Sequence, residues 1–341
     1  AGGSITLDED SDFTGDITSS VPLSIDSSTT VNGNCTPAHP QCTGSGLPIL
    51  LSEWRFDESS WSGVAGEVED TQGVTHGTAV NSPNTSNSNP AMSGSPGTCG
   101  FGVFDGSNDY IDLNGMGNLT DSFSITAWIY ANSTVSGSRI LIDDQNNTGG
   151  FGFSLGDPGN GKLRFFSRNV NPVSVDTQSV VINTGQWYHV AAVHNASTKT
   201  RQIFIDGVAV TLDNGNTVST YTGNWGEDVG AASIGGENNS STENSSSFRF
   251  NGNIDEVRVY DSALSAAQVS TVMAETHVCS LIAVDHFTIG VGGGSANTCN
   301  PFSFSVTAED SLNNPVTDYS GTVTLSTSRL PITSPIISNG N

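Results

Sequence analysis

The run from Phe250 to Tyr260, Phe-Asn-Gly-Asn-Ile-Asp-Glu-Val-Arg-Val-Tyr, constrains the fold most. It joins a strand pattern, a carboxylate in an apolar setting and the approach to a capped helix. With Val257 and Val259 facing a core, period-two alternation puts Glu256 and Arg258 on the outer face as an ion pair and turns Asp255 inward. An isolated ionised carboxylate is prohibitively costly to bury. Asp255 therefore belongs at a sheet margin, beside backbone N–H groups, a cationic side chain or a metal ion.

Similar alternation recurs along the chain. Residues 50–56, 124–130, 139–142, 162–166, 187–194, 201–205 and 254–260 read as strands, separated by Gly, Asn and Ser turns. Asp206-Gly207, between Gln-Ile-Phe-Ile and Val-Ala-Val, signals a type I′ hairpin, because both turn residues must accept positive φ. Ser265 to Gln268 forms a capping box and Leu264 can staple to Val269, which predicts one short helix over 266–274. The expected fold is an all-β sandwich, closed by that helix, over residues 49–279. Before it come a short β-rich segment, 1–34, and a Cys/Pro linker, 35–48. After it, 280–341 runs through Asp285-His-Phe-Thr-Ile, Phe302-Ser-Phe-Ser-Val and Gly321-Thr-Val-Thr-Leu. These strands suggest a partial immunoglobulin-like β module, too few for a sandwich of about seven.

Asp plus Glu outnumber Lys plus Arg by 34 to 10, for a formal net charge of -24. Such a surface repels phosphate, which argues against a nucleic-acid partner, and suits solubility in salt. No apolar run approaches the roughly 18 residues that span a bilayer, so no transmembrane segment is expected. The chain starts Ala1-Gly2-Gly3 without a basic, apolar leader, as a mature or trimmed exported chain would. Five cysteines, none in CxxC spacing, suit an oxidising compartment. Cys35 and Cys42 are the natural loop-closing pair, and Cys279 with Cys299 a second. Cys99 is left over, either buried or replacing one member of either pair, since sequence does not fix connectivity.

Five motifs carry a family resemblance: Phe104-Asp-Gly-Ser-Asn-Asp-Tyr-Ile, Phe123-Ser-Ile-Thr-Ala-Trp-Ile, Gly185-Gln-Trp-Tyr-His-Val-Ala-Ala-Val, Ile205-Asp-Gly and Gly252-Asn-Ile-Asp-Glu-Val-Arg-Val-Tyr. Through them residues 50–279 resemble the laminin-G-like, concanavalin A-like jelly rolls of bacterial surface proteins. Cys42-Thr-Gly-Ser-Gly-Leu-Pro, Glu53-Trp-Arg-Phe-Asp-Glu, the 61–80 segment and Asp285-His-Phe resemble, more narrowly, the mannose-sensitive haemagglutinin (MSHA) pilus biogenesis protein Q family. The resemblance implies an exported protein, extracellular or on the bacterial cell surface, that touches a glycan or another surface ligand, with pilus proteins as further partners. It also implies a Cys just after the Phe-Asp-Glu run. This chain has Ser59-Ser60 there, which leaves Cys99 without that partner.

Calcium is the cofactor to expect, since a hard cation wants several oxygens from turn-rich backbone. Core-facing Ile111 and Leu113 place Asp109 inward, Asp105 opens the preceding turn, and Asp70 starts a turn before Gly73 and Gly77. Jelly rolls of this resemblance often hold a calcium ion near the sheet margin, which makes Asp70, Asp105, Asp109 and Asp255 candidate ligands. Turn capping is the alternative role. For a glycan, aromatic faces flanked by amides and carboxylates are required. Trp225 and Tyr221, in Tyr221-Thr-Gly-Asn-Trp-Gly-Glu-Asp, are the candidates, with Asp143 and Asp144 in a second polar loop that lines a cleft, binds a cation or forms a solvated hairpin tip. Trp128 and Trp187 lie in strands and are expected in the core.

Catalysis is not expected. A glycoside hydrolase needs two carboxylates about 5–10 Å apart, and no strand supplies them at even spacing. His189 and His194 sit at odd spacing on one strand and face opposite ways. The reading is a non-enzymatic adhesion or carbohydrate-recognition protein. A structural pilus component and a divergent polysaccharide-active enzyme are the alternatives.

Overall fold

The computed structural model describes residues 47–279 except 114–115, 117–118, 120, 135–136, 145–148, 227–231 and 238–247, together with short strands on either side and Val323. The chain divides into two compact units, up to Cys279 and from Ser280.

The sandwich consists of two antiparallel sheets. The larger runs in the order Val208–Ala209, Thr200–Ile205, Trp187–Asn195, Phe123–Ala131, Asn251–Tyr260, Phe101–Asp105, Asn84–Ser86, with Leu50–Trp54 also paired to Asn251–Tyr260. The smaller runs Ser174–Asp176, Leu163–Ser167, Phe151–Leu155, Ser138–Asp143, Ser233–Ile234, Tyr110–Asp112, Thr78–Val80. Alternate residues of the two inner faces fill one core, among them Ile125, Ala127, Ile129, Val190, Ala192, Ile254, Val257 and Val259 against Leu141, Phe153 and Phe165. This is the jelly-roll sandwich expected from the alternation. The Asp206-Gly207 turn has φ of 47° and 78°, as a type I′ hairpin requires.

The helix Ala266–Met273 carries both hydrogen bonds of its capping box. It packs Leu264, Val269 and Val272 onto Ala191, Val193, Phe204 and Tyr260, a second small core on the outer face of the larger sheet. That cover explains a departure from the simple strand reading. Arg258 and Glu256 do form an ion pair, but they are buried beside the covering segment rather than solvated.

The parity of Asp255 is also corrected. Arg258 pairs with Thr126 and Asp255 with Trp128, so the Asn251–Tyr260 strand spends one extra residue between these two pairs. This is a β-bulge, and Glu256 takes a positive φ of 51° there. The extra residue resets the alternation. Ile254 and Val257 both reach the inter-sheet core, while Asp255 shares the outer face with its partner Trp128.

The N-terminal segment contains three parallel strand pairs: Ile5–Leu7 with Leu23–Ile25, Asp12–Thr14 with Thr30–Asn32, and Ile17–Thr18 with Cys35–Thr36. Each pair joins residues 18 positions apart. A constant parallel offset is the register of successive coils in a β-solenoid. The second unit contributes an antiparallel pair, His286–Val291 with Phe304–Glu309. The strand expected at 321–325 lies outside the described residues apart from Val323.

Cys99 and Cys279 form a disulfide with Cα atoms 5.2 Å apart. This replaces the expected Cys279–Cys299 pair. The physical cause is the return of the chain after the helix, where His277 and Gly97 exchange two backbone hydrogen bonds of 2.9 and 3.0 Å and bring the two sulfurs together. Cys42, Cys299 and the side chain of Cys35 lie outside the described residues.

Candidate functional site

The outer face of the larger sheet holds three zones in succession. The helix covers the first. The second is a buried charge network. Arg258 bonds Glu53 at 2.8 Å and pairs with Glu256, whose other oxygen meets His277 Nε2 at 2.6 Å. Burial pushes the Glu53 carboxyl up, but Arg258 and the hydrogen bonds from Thr71, Arg258 and Arg55 outweigh it and hold it below its usual value. Burial, and then the Glu256 charge, push Asp255 well above the carboxylate range, which favours its neutral acid. Burial likewise raises Asp57 to about 6, against the opposing Gly100 N–H bond and His277 charge. The hydrogen bond to Glu256 raises His277.

The third zone is aromatic. Trp187, Tyr130 and Asn253 lie in one row across three strands, and His189, Trp128 and Asp255 in the next. Trp187 meets Tyr130 and Phe101 edge-on at ring distances of 5.7 and 5.4 Å, and Trp128 meets His189 at 5.3 Å. Trp128, Tyr130, Trp187 and Asn253 are all half-buried, so none is closed off in the core. Trp187 Nε1 donates to Asn89 O at 3.0 Å, which fixes the indole from the side. Sequence reasoning placed Trp128 and Trp187 in the core. They are in strands, but at the parity opposite to Ile129, Ala127 and Val190. Counting that parity from the core residues on the same strands was the signal that could have found them.

Trp225 and Tyr221 have a different setting. Trp225 packs on the inter-sheet core, with its ring 5.3 Å from Phe123, 5.4 Å from His194 and 6.1 Å from Phe151, and Nε1 bonded to Leu119 O at 3.0 Å. Tyr221 is buried, stacked on His194 and bonded to its Nε2 at 2.7 Å. These rings brace one another. Asp143 and Asp144 are buried rather than at a solvated tip, and Asp144 pairs with Arg168. The rest of that loop, 145–148, lies outside the described residues.

The four candidate calcium ligands do not form one cluster of close ligand atoms, although Asp105 and Asp109 are in contact. Asp70 accepts from the backbone N–H groups of Glu53, Gln72, Val74 and Thr75, which occupies both its oxygens. Asp105 caps its own turn through Ser107 N at 2.7 Å and gives its N–H to Asp109 at 3.0 Å. Asp109 also feels the Arg249 cation, although burial is the larger influence and raises it. Asp255 sits in the charge network. A shared calcium site does not fit this donor set. Among the described residues, the group of His, Cys, Asp and Glu with mutually close ligand atoms is Asp57, Cys99 and His277, within 4.8 Å of one another.

Residues 105–270 match the family described as the Concanavalin A-like lectin/glucanases superfamily. No curated protein sequence matches the chain. Similar solved structures include domain 4 of an extracellular GH43 arabinanase from Geobacillus stearothermophilus in complex with arabinotriose, at 19% identity over 66% of this chain and 98% of that one, with a TM-score of 0.49. A pentraxin from Limulus polyphemus matches at 20% identity over 46% and 70%, TM-score 0.33. A Trypanosoma rangeli sialidase matches at 16% identity over 68% of this chain and 34% of that one, TM-score 0.42.

Proposed function

We propose that the sandwich binds neutral carbohydrate on the outer face of its larger sheet, across Trp187, Tyr130 and Trp128, in an exported protein that works in adhesion or surface recognition. The observation that carries this is three adjacent, half-buried aromatics in two neighbouring rows of the outer face, with Asn253 beside them. The apolar face of a sugar stacks on such rings and its hydroxyls take the amide. The lectin-type family matched by residues 105–270 agrees with this use.

Neutral glycans are favoured by the fate of the cations. Arg55, Arg139, Arg164, Arg168 and Arg258 each pair with a carboxylate, and Arg201 and Arg249 donate to backbone carbonyls. An acidic sugar would meet a chain of net charge -24 whose arginines, among the described residues, are already engaged. The Cys99–Cys279 disulfide supports an oxidising, exported setting. Association with a pilus is the narrower reading, resting on the family resemblance. The test is a glycan array carrying neutral, sialylated and sulfated chains. Signal on neutral chains, lost in Trp187→Ala, supports the reading, while signal on acidic chains alone or unchanged signal in the variant refutes it.

A further inference from the structure

We propose that the Cys99–Cys279 disulfide masks a divalent-metal site of zinc type, which forms from Cys99, Cys279, His277 and Asp57 when the bond is reduced. The segment after the helix is stitched to 95–99 by the His277–Gly97 hydrogen bonds and by Cys279 N to Ser95 Oγ at 3.2 Å. That docking aims the His277 ring. Its Nε2 lies 2.6 Å from Glu256 Oε1, so the ring proton belongs there, and the Nδ1 lone pair faces Cys99 Sγ at 3.5 Å. A ring nitrogen held open by a carboxylate on the other nitrogen is the usual arrangement of a metal-bound histidine.

Asp57 stands beside the same ring. Its Oδ1 takes the Gly100 N–H at 2.7 Å and its Oδ2 is 3.5 Å from His277 Nε2, the nitrogen that also meets Glu256. An Asp57 oxygen, a His277 nitrogen and Cys99 Sγ all lie within 4.8 Å of one another, and Cys279 Sγ is bonded to the last. Ligands about 2.0–2.3 Å from a tetrahedral ion stand roughly 3.3–3.8 Å apart, so Asp57, His277 and Cys99 need only a small inward shift, while Cys279 Sγ, once freed, swings away from Cys99 Sγ to take the fourth position. Two thiolates, an imidazole and a carboxylate suit zinc and not calcium. The Asp57 side chain keeps 30% of its surface, and Cys99 and His277 are half-buried, so reductant and ion have access.

The chemistry balances with a dithiol as reductant. The dithiol gives two electrons and two protons to the disulfide and closes to its own disulfide. The two thiols then bind the ion as thiolates and release those two protons to solvent.

The test uses the full chain with Cys35, Cys42 and Cys299 changed to Ser, so that no other thiol competes. Cobalt(II) is the probe, read by its tetrahedral and thiolate charge-transfer bands, with circular dichroism reporting the fold. The expected result is one cobalt per chain after reduction, none before it, displacement by zinc, and at least tenfold weaker uptake in His277→Ala and Asp57→Asn. Several outcomes overturn the proposal: no uptake by reduced, folded chain; equal uptake by oxidised chain; or equal uptake by both variants. A reduced chain that unfolds and does not refold on adding metal also overturns it.

Discussion

Removing the Cys99–Cys279 cross-link should cost the sandwich a large part of its stability. The bond spans a sequence separation of 180 residues, most of the jelly roll apart from its first three strands. In the chain-entropy account, closing a loop of that length removes roughly 18 cal/mol/K from the unfolded ensemble, or about 5 kcal/mol at 25 °C. For a domain of this size each kcal/mol moves the midpoint by about 2–4 °C, so Cys99→Ser with Cys279→Ser should melt roughly 10–20 °C below the parent. The native contacts around the bond limit any further loss, because the His277–Gly97 hydrogen bonds and the His277–Glu256 contact do not involve sulfur. Differential scanning calorimetry without added metal, with the disulfide confirmed by mass spectrometry in the parent, provides the measurement. Midpoints within a degree or two of each other would refute the reasoning. The cross-link would then be constraining a chain already ordered when unfolded.

Three other perturbations separate the roles assigned here. Trp225→Ala removes a ring packed on Phe123, Phe151 and His194 and should cost about 3–5 kcal/mol by chemical denaturation, yet leave glycan affinity unchanged in the folded fraction. Asp70→Ala strips an acceptor from four backbone N–H groups and should cost about 1–3 kcal/mol, equally in calcium and in chelator; a loss seen only with calcium present would make Asp70 a ligand after all. Acid should weaken the fold through His194, whose ordinary pKa of 6.5 falls to about 4 under burial and then the Arg201 charge. The unfolded chain takes up that proton first, so stability present above about pH 6.5 is lost as pH falls towards 4, on the order of 3 kcal/mol in all. His189, lowered to about 3 by burial and Arg258, acts in the same direction. Both His189 ring nitrogens are buried without a hydrogen-bond partner, so His189→Phe should flatten its share of the acid profile at little cost in neutral buffer.

What could be read from the sequence was what local chemistry decides. Alternation gave the strands, Asp206-Gly207 the hairpin, and Ser265 with Gln268 the helix start, because each depends on neighbours within a few residues. The bulge at Glu256 was not legible, since an extra residue shows itself only against its partner strand. It misdirected Asp255 to the inner face. The disulfide was left as one of several open pairings for a similar reason, as the choice of Cys99 for Cys279 depends on the chain returning to Gly97 after the helix. The aromatic zone was half legible: Trp128 and Trp187 stood out as strand residues, but strand membership was taken for core membership. In a sheet whose outer face is only partly covered by a helix, the opposite parity stays open to a ligand.

The central claim is that the ligand stacks on the outer face of the larger sheet. It is tested most directly by calorimetric titration of a neutral oligosaccharide, chosen as the strongest on the array, into the parent and into Trp128→Ala, Tyr130→Ala, Trp187→Ala and Trp225→Ala. The account predicts about tenfold or greater weakening for Trp187→Ala and for at least one of its two neighbours, near the roughly 1.4 kcal/mol that corresponds to one decade, with Trp225→Ala binding as the parent does once corrected for its folded fraction. Undiminished affinity in all three outer-face variants, or loss confined to Trp225→Ala, would contradict it.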